Sequence, residues 1–143
     1  MRKLLADSGK PVALIDEPAF AASISHDGKK IACFLGDIKN PDHLRIAILP
    51  FKGGKPSMIF DMPENISEYS RLRWALNDDA LTYFVDHKGI SNIYSMPLTG
   101  NSPLKLTDFN EKLMFYFDWS QDGDLACSRG EIVNDVVLIR DLQ

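Results

Sequence analysis

Three short runs carry the residues that could take part in recognition. Trp74 and Trp119 open two apolar-polar-apolar hairpin patterns, and Ile24 holds the same position in a third. Side chains alternate faces along a strand, so the neighbours of that position point the other way. Those neighbours are Ser23 and Ser25, Arg73 and Ala75, and Asp118 and Ser120. A mostly polar row with one cation and one carboxylate can bind a ligand through hydrogen bonds and opposite charges. The candidate ligand-binding set is therefore Arg73, Asp118, Ser25 and Ser120. Trp74 and Trp119, on the other face, are expected to pack one repeat against the next.

Chemistry beyond binding finds no footing. His26, His43 and His87 fall in different contexts and share no metal-ligand spacing, and three ligands of the zinc or iron type are not evident. Asn77-Asp78-Asp79 lacks the alternating oxygens and closing glutamate of a calcium loop. No Gly-x-Ser-x-Gly elbow supplies a hydrolase nucleophile. The expectation is a chain that is not an enzyme, with no catalytic residue, no metal and no cofactor. Cys33 and Cys127 occupy equivalent positions of the first and third runs, too far apart in such a repeat for a bridge. Both read as small buried hydrophobes.

The elements that must position these residues repeat along the chain. Ile24-Ser-His-Asp-Gly-Lys-Lys-Ile-Ala-Cys, Trp74-Ala-Leu-Asn-Asp-Asp-Ala-Leu-Thr-Tyr and Trp119-Ser-Gln-Asp-Gly-Asp-Leu-Ala-Cys-Ser are three versions of one hairpin. Asp122-Gly123 reads as a two-residue turn, and Asp27-Gly28 marks the same turn in the first copy. A second marker is a proline followed five residues later by aspartate or threonine-aspartate: Pro11 to Asp16, Pro56 to Asp61 and Pro103 to Asp108. Proline at the head of a short strand suits an outer edge. A third marker is the apolar run Arg45-Ile-Ala-Ile-Leu-Pro-Phe, matched by Asn92-Ile-Tyr-Ser-Met-Pro-Leu and Asp135-Val-Val-Leu-Ile-Arg-Asp. No segment sustains a helical stripe. The chain is predicted to be all-β, with four strands every 43 to 51 residues, which is the pattern of a β-propeller blade.

The predicted division is a lone outer strand in residues 1–17, a first blade in 18–61, a second in 62–108, and a third in 109–143 that lacks its outer strand. The first and third turns are expected to be tight. The second connections (Gly36–His43, Asp86–Ser91, Arg129–Asn134) and those between repeats (Asp61–Tyr69, Asp108–Leu113) read as longer loops on one face, where binding commonly resides.

In this register the chain resembles the TolB-like family of propeller repeats. The features that carry the resemblance are Asp27-Gly28-Lys29, Ser120 with Asp122-Gly123, Ile93-Tyr94, Leu106-Thr107 and the Gly-Gly-Lys-Pro turn ending at Pro56. His26 and Gln121 stand where the family has proline, Ile24 where it has tryptophan, and Asn77-Asp78 where it has Asp-Gly. The run from Ser128 to Arg140 resembles the C-terminal end of bacterial multidomain serine/threonine kinases or winged-helix regulators that carry such propellers. The resemblance implies a non-catalytic propeller module for protein–protein interaction or ligand sensing, in which first strands line a central channel. The alternative is the propeller accessory domain of a prolyl-oligopeptidase-type hydrolase.

Composition narrows the partners. The 143 residues carry a formal net charge of −4 with acids and bases interspersed, so nucleic-acid binding has no electrostatic basis. No run reaches the ~18 apolar residues of a membrane helix, and no targeting segment is evident in this chain. Three blades fall short of the four a closed propeller needs. The expected resolution is a homodimeric six-bladed ring in which residues 11–16 of one copy complete the third blade of another. The alternative is that the chain is the remainder of a longer propeller.

Overall fold

Both long apolar runs of each complete repeat lie at the centre of an antiparallel sheet with another sheet on each side. The computed structural model describes residues 1–4, 9–40, 43–67 and 69–134. An N-terminal hairpin pairs β1 (Arg2–Leu4) with β2 (Pro11–Ala13). A first four-stranded sheet follows in the order β3 (Ala19–Ile24), β4 (Lys30–Leu35), β5 (Arg45–Pro50), β6 (Met58–Asp61). A second sheet repeats that order with β7 (Arg73–Trp74), β8 (Ala80–His87), β9 (Ile90–Pro97) and β10 (Leu104–Lys105). The last hairpin is β11 (Leu113–Trp119) with β12 (Leu125–Gly130). The described residues contain no helix, and the chain is all-β.

The sheets stack in chain order. Ile31, Cys33, Leu35, Ala47 and Leu49 face back onto Leu14 and Ile15 of the N-terminal segment. Their alternates Ala32, Phe34, Ile46 and Ile48 face forward onto Leu72, Trp74, Leu81 and Tyr83 of the second sheet. From that sheet's far side Phe84 and Ile93 meet Met114 and Phe117. Strands buried on both faces read as continuous apolar runs, which is why β4, β5 and β8 show no polar alternation in sequence. Each fully buried Ile, Leu or Phe contributes about 1.5–3 kcal/mol relative to exposure.

Several expectations change. Residues 11–16 are not a lone strand: Ala13 faces Arg2 and Pro11 faces Leu4. That hairpin matches the outer pairs of both sheets, where Met58 faces Ile48 and Lys105 faces Tyr94, each two residues past its proline. Asp86–Ser91 is not a long loop, because Asp86 pairs with Ser91 and His87 with Ile90 around a Lys88-Gly89 turn. Both turn residues have positive φ, 52° and 80°, the combination of a tight hairpin turn. The first turns are wider than two residues. The Gly28 amide bonds to Ser25 O and the Ser25 amide to Lys30 O, a type I turn closed by a left-handed residue.

Cys33 is fully buried, but Cys127 is exposed, against the expectation for it. Among the described residues β12 pairs only with β11, so the sheet that would enclose Cys127 is incomplete there. Burial pushes the Cys33 thiol up to about 11. The third run, Asp135 to Asp141, lies outside the described residues, and with it the expected third strand of the last repeat. Among the described residues no sheet closes on itself.

Candidate functional site

The first strands of the second sheet and of the last hairpin bring a guanidinium, a phenol and a carboxylate together. In β7, Leu72 before the strand and Trp74 within it are buried, at 0% and 3% exposure, which turns Arg73 to the opposite side. In β11, Met114 and Phe117 both enter the core although they are three residues apart. A strict two-residue alternation forbids that. The register shift between Met114 and Tyr116 resolves it by inserting one extra residue, after which Tyr116 and Asp118 project outward.

The three side chains meet closely. Arg73 Nη2 donates to the Tyr116 hydroxyl at 2.8 Å, and the guanidinium lies over the Tyr116 ring, 5.1 Å from its centroid. Arg73 Nε stands 3.4 Å from Asp118 Oδ1, and the Tyr116 hydroxyl donates to Asp118 Oδ2 at 3.1 Å. The Trp119 amide donates to Asp118 Oδ1 at 2.9 Å, and Arg73 Nη1 donates to Leu72 O at 3.3 Å. Half of the Asp118 side chain is exposed, so the ion pair itself adds little stability, about 0–1 kcal/mol. The group offers hydrogen bonds and charge to a ligand. It contains no paired nucleophile and base.

Of the sequence-predicted set, Arg73 and Asp118 come together, while Ser25 and Ser120 are engaged elsewhere. Ser25 is 3% exposed; its hydroxyl donates to Asp27 Oδ1 at 2.7 Å and accepts the Lys30 amide at 2.9 Å. That hydroxyl and the Lys29 amide hold the Asp27 carboxyl below the ordinary carboxylate range. Ser120 Oγ accepts the amides of Asp122 and Asp124 at 3.2 and 2.9 Å. Both serines lock their turns. Tyr116 was not singled out by sequence, although it shares its alternation with Asp118 and Ser120, and that parity is the signal that finds it.

The structural residues hold the sheets to one another. The Trp74 indole N–H donates to Ser23 O at 3.0 Å, from the second sheet to the first. The Trp119 indole N–H donates to Thr82 Oγ1 at 3.0 Å, from the last hairpin to the second sheet. Asp78, at the turn position of Gly28 and Gly123, makes a tie that sequence reading did not identify. Its carboxylate accepts the amides of His26 and Asp27 at 2.9 and 3.0 Å and contacts His26 Nδ1 at 2.9 Å. Burial pushes the Asp78 carboxyl up, but those two amides and the imidazole outweigh it and leave the group below the ordinary range. The departure from glycine, at a φ of 55°, was the available signal.

Among the described residues no group of three or more His, Cys, Asp or Glu side chains gathers to hold a metal. A cavity of about 200 Å³ opens between the second sheet and the last hairpin, lined by Leu76, Leu106, Trp119 and Gly123 together with Ala75, Thr82 and Ser95. No protein-family model matches the chain, and no curated protein matches it.

Proposed function

We propose that the chain is a non-catalytic β-propeller module that binds a protein or small ligand, the sensing or interaction end of a bacterial regulatory protein. The observation that carries this reading is the repetition itself. Two successive four-stranded sheets share one strand order and stack face to face, and the next hairpin packs on the second in the same sense. Stacked antiparallel sheets of this order are the building units of propellers. The first strands of two consecutive units place Arg73, Tyr116 and Asp118 on one surface, where a propeller would have its channel.

The N-terminal hairpin supports a ring built from more than one copy. Its register is that of an outer strand pair, and the last described hairpin is an inner pair. Joined between copies, the two would make one four-stranded unit, with β1 in the place the sequence assigns to the third run, Asp135 to Asp141, and two chains would make six. The swapping element is then the hairpin of residues 2–13 rather than a single strand. Light scattering on the intact chain and on a chain without residues 1–17 tests this assembly. A dimer that dissociates on truncation is expected, and a monomer in both forms would contradict it.

The neighbouring coding sequence tests the regulatory role. A kinase or winged-helix domain encoded upstream fits the proposal, whereas a hydrolase domain downstream would favour an accessory propeller of the prolyl-oligopeptidase type.

A further inference from the structure

The Arg73 side chain is about one-fifth exposed, and among the described residues the edge of its guanidinium that binds carboxylates best carries one full hydrogen bond and one stretched contact. The Nε and Nη2 hydrogens point in parallel and fit the two oxygens of one carboxylate. Here Nη2 is taken by the Tyr116 hydroxyl at 2.8 Å, while Nε has only Asp118 Oδ1 at 3.4 Å. A charge-assisted N–H···O bond closes to about 2.7–2.9 Å, so the Asp118 contact is stretched. The cause is local. The Trp119 amide holds one carboxylate oxygen of Asp118 and the Tyr116 hydroxyl the other, and both bonds tie it to its own strand. Asp118 sits near Arg73 without closing on it.

We propose that Arg73 is the anchor for a ligand carboxylate, and that Asp118 is its internal stand-in when no ligand is bound. This inference rests on reading the first-strand surface as the binding face of the module and names the chemistry recognised there. A ligand carboxylate takes Nε and Nη2 together. The Tyr116 hydroxyl, released as an acceptor, remains close enough to donate to the newcomer. The Tyr116 ring stays against the guanidinium, and Nη1 on Leu72 O keeps the fork aimed outward. Asp118 acts against binding through its charge, since it lies beside the site the ligand anion must enter. Its removal therefore strengthens binding, the reverse of what a ligand-contacting residue shows.

Two sources carry this chemistry, a free small carboxylate and an acidic side chain of a peptide. Succinate and the blocked peptide acetyl-Gly-Glu-Gly-amide are suitable probes, followed by the ¹H–¹⁵N resonances of the Arg73 Nε–H and the Trp119 amide at low salt. The expected result is saturable shifts with at least one probe, tightened at least about fivefold by Asp118→Asn and lost in Arg73→Gln. Arg73→Lys, which keeps the charge but not the fork, is expected to bind weakly. Arg71→Gln, a control whose side chain bonds Tyr69 O and Ser70 O, is expected to bind as wild type. Tighter binding of the peptide than of succinate assigns the site to a protein partner, and the reverse order to a small ligand. Binding unchanged or weakened in Asp118→Asn, binding retained in Arg73→Gln, or equal loss in Arg71→Gln would overturn the proposal. Inorganic phosphate matching the carboxylates would overturn the ligand class. A failure of any of these leaves the assembly measured by light scattering untouched, so the two readings fall separately.

Discussion

The junction between the first and second sheets and the junction between the second sheet and the last hairpin are two versions of one contact, and they are unequal. At the first, Trp74 is buried to 3%, the Lys30 ammonium lies 5.0 Å from its ring centroid, and the same ammonium bonds Asp78 O. The Asp78 carboxylate then closes the turn by taking the His26 and Asp27 amides. At the second, Ala80 stands where Lys30 does, and Gly123 stands where Asp78 does. The described residues place no acceptor on the Leu76 and Asn77 amides, and the cavity beside Trp119 opens there. One repeat motif therefore gives a joint tied at its turn and one open there, and that difference comes from two side chains at the turn, while the first strands add the contacts of Arg73 with Tyr116 and Asp118 at the second joint.

The largest effect expected is on Trp74. Trp74→Ala removes a buried indole and its bond to Ser23 O and should cost about 3–5 kcal/mol in urea unfolding. Trp119→Ala, at the more open joint, should cost roughly half as much. Equal losses would erase the contrast.

Asp78→Gly copies the second joint into the first. It leaves the amides of His26 and Asp27 without their carboxylate and should cost about 1–2 kcal/mol near neutral pH. The effect depends on pH in a definite sense. The folded-state carboxyl titrates below its ordinary value, so its contribution is present above that value and is lost as pH falls through the depressed one. The stability gap between wild type and Asp78→Gly should therefore shrink as pH falls below the ordinary carboxylate value of about 4. A gap that widens toward acid would be evidence against the tie.

Gly123→Asp is the converse change. A Cβ at Gly123 would meet only Leu76 Cδ1, at 3.2 Å, the end of a flexible side chain. The φ there is +89°, a strained region for any side chain, although Asp78 already adopts a positive φ of 55° at the equivalent place. Net stability should move by less than about 1 kcal/mol, with the new acceptor opposing the strain. Exchange of the Leu76 and Asn77 amides should slow measurably if the tie forms. The smallest effect belongs to Arg73→Gln, whose contacts with Tyr116 and Asp118 cross the second joint at its half-exposed surface; its stability change should stay under about 1 kcal/mol.

Most of the frame could be read from residues. The apolar runs became the paired centres of the sheets because burial on both faces demands apolar residues at every position. The indole positions became joints because Trp74 and Trp119 recur at one place in the hairpin. The errors have physical causes as well. Lys88-Gly89 supports a two-residue turn because both residues take positive φ, and a lysine there gives no sequence warning. Met1–Leu4 lacks the β-branched signature of a strand and is recruited by pairing with β2, a long-range effect that local pattern does not carry. Ser25 and Ser120 looked free by alternation, but the turn beyond each strand claims their hydroxyls. Arg73 and Asp118 were legible as charges, and Tyr116 was legible only by its shared alternation with Asp118; the bulge before it, which brings Met114 into the core, left no sequence signal.

With two tryptophans in the chain, one spectrum compares the two joints directly. Exchange of the two indole N–H protons with deuterated solvent reads the opening of each joint. The Trp74 proton should exchange at least about tenfold more slowly than the Trp119 proton, and Asp78→Gly should narrow that gap. Equal rates, or a faster Trp74, would contradict the tied and looser joints described above.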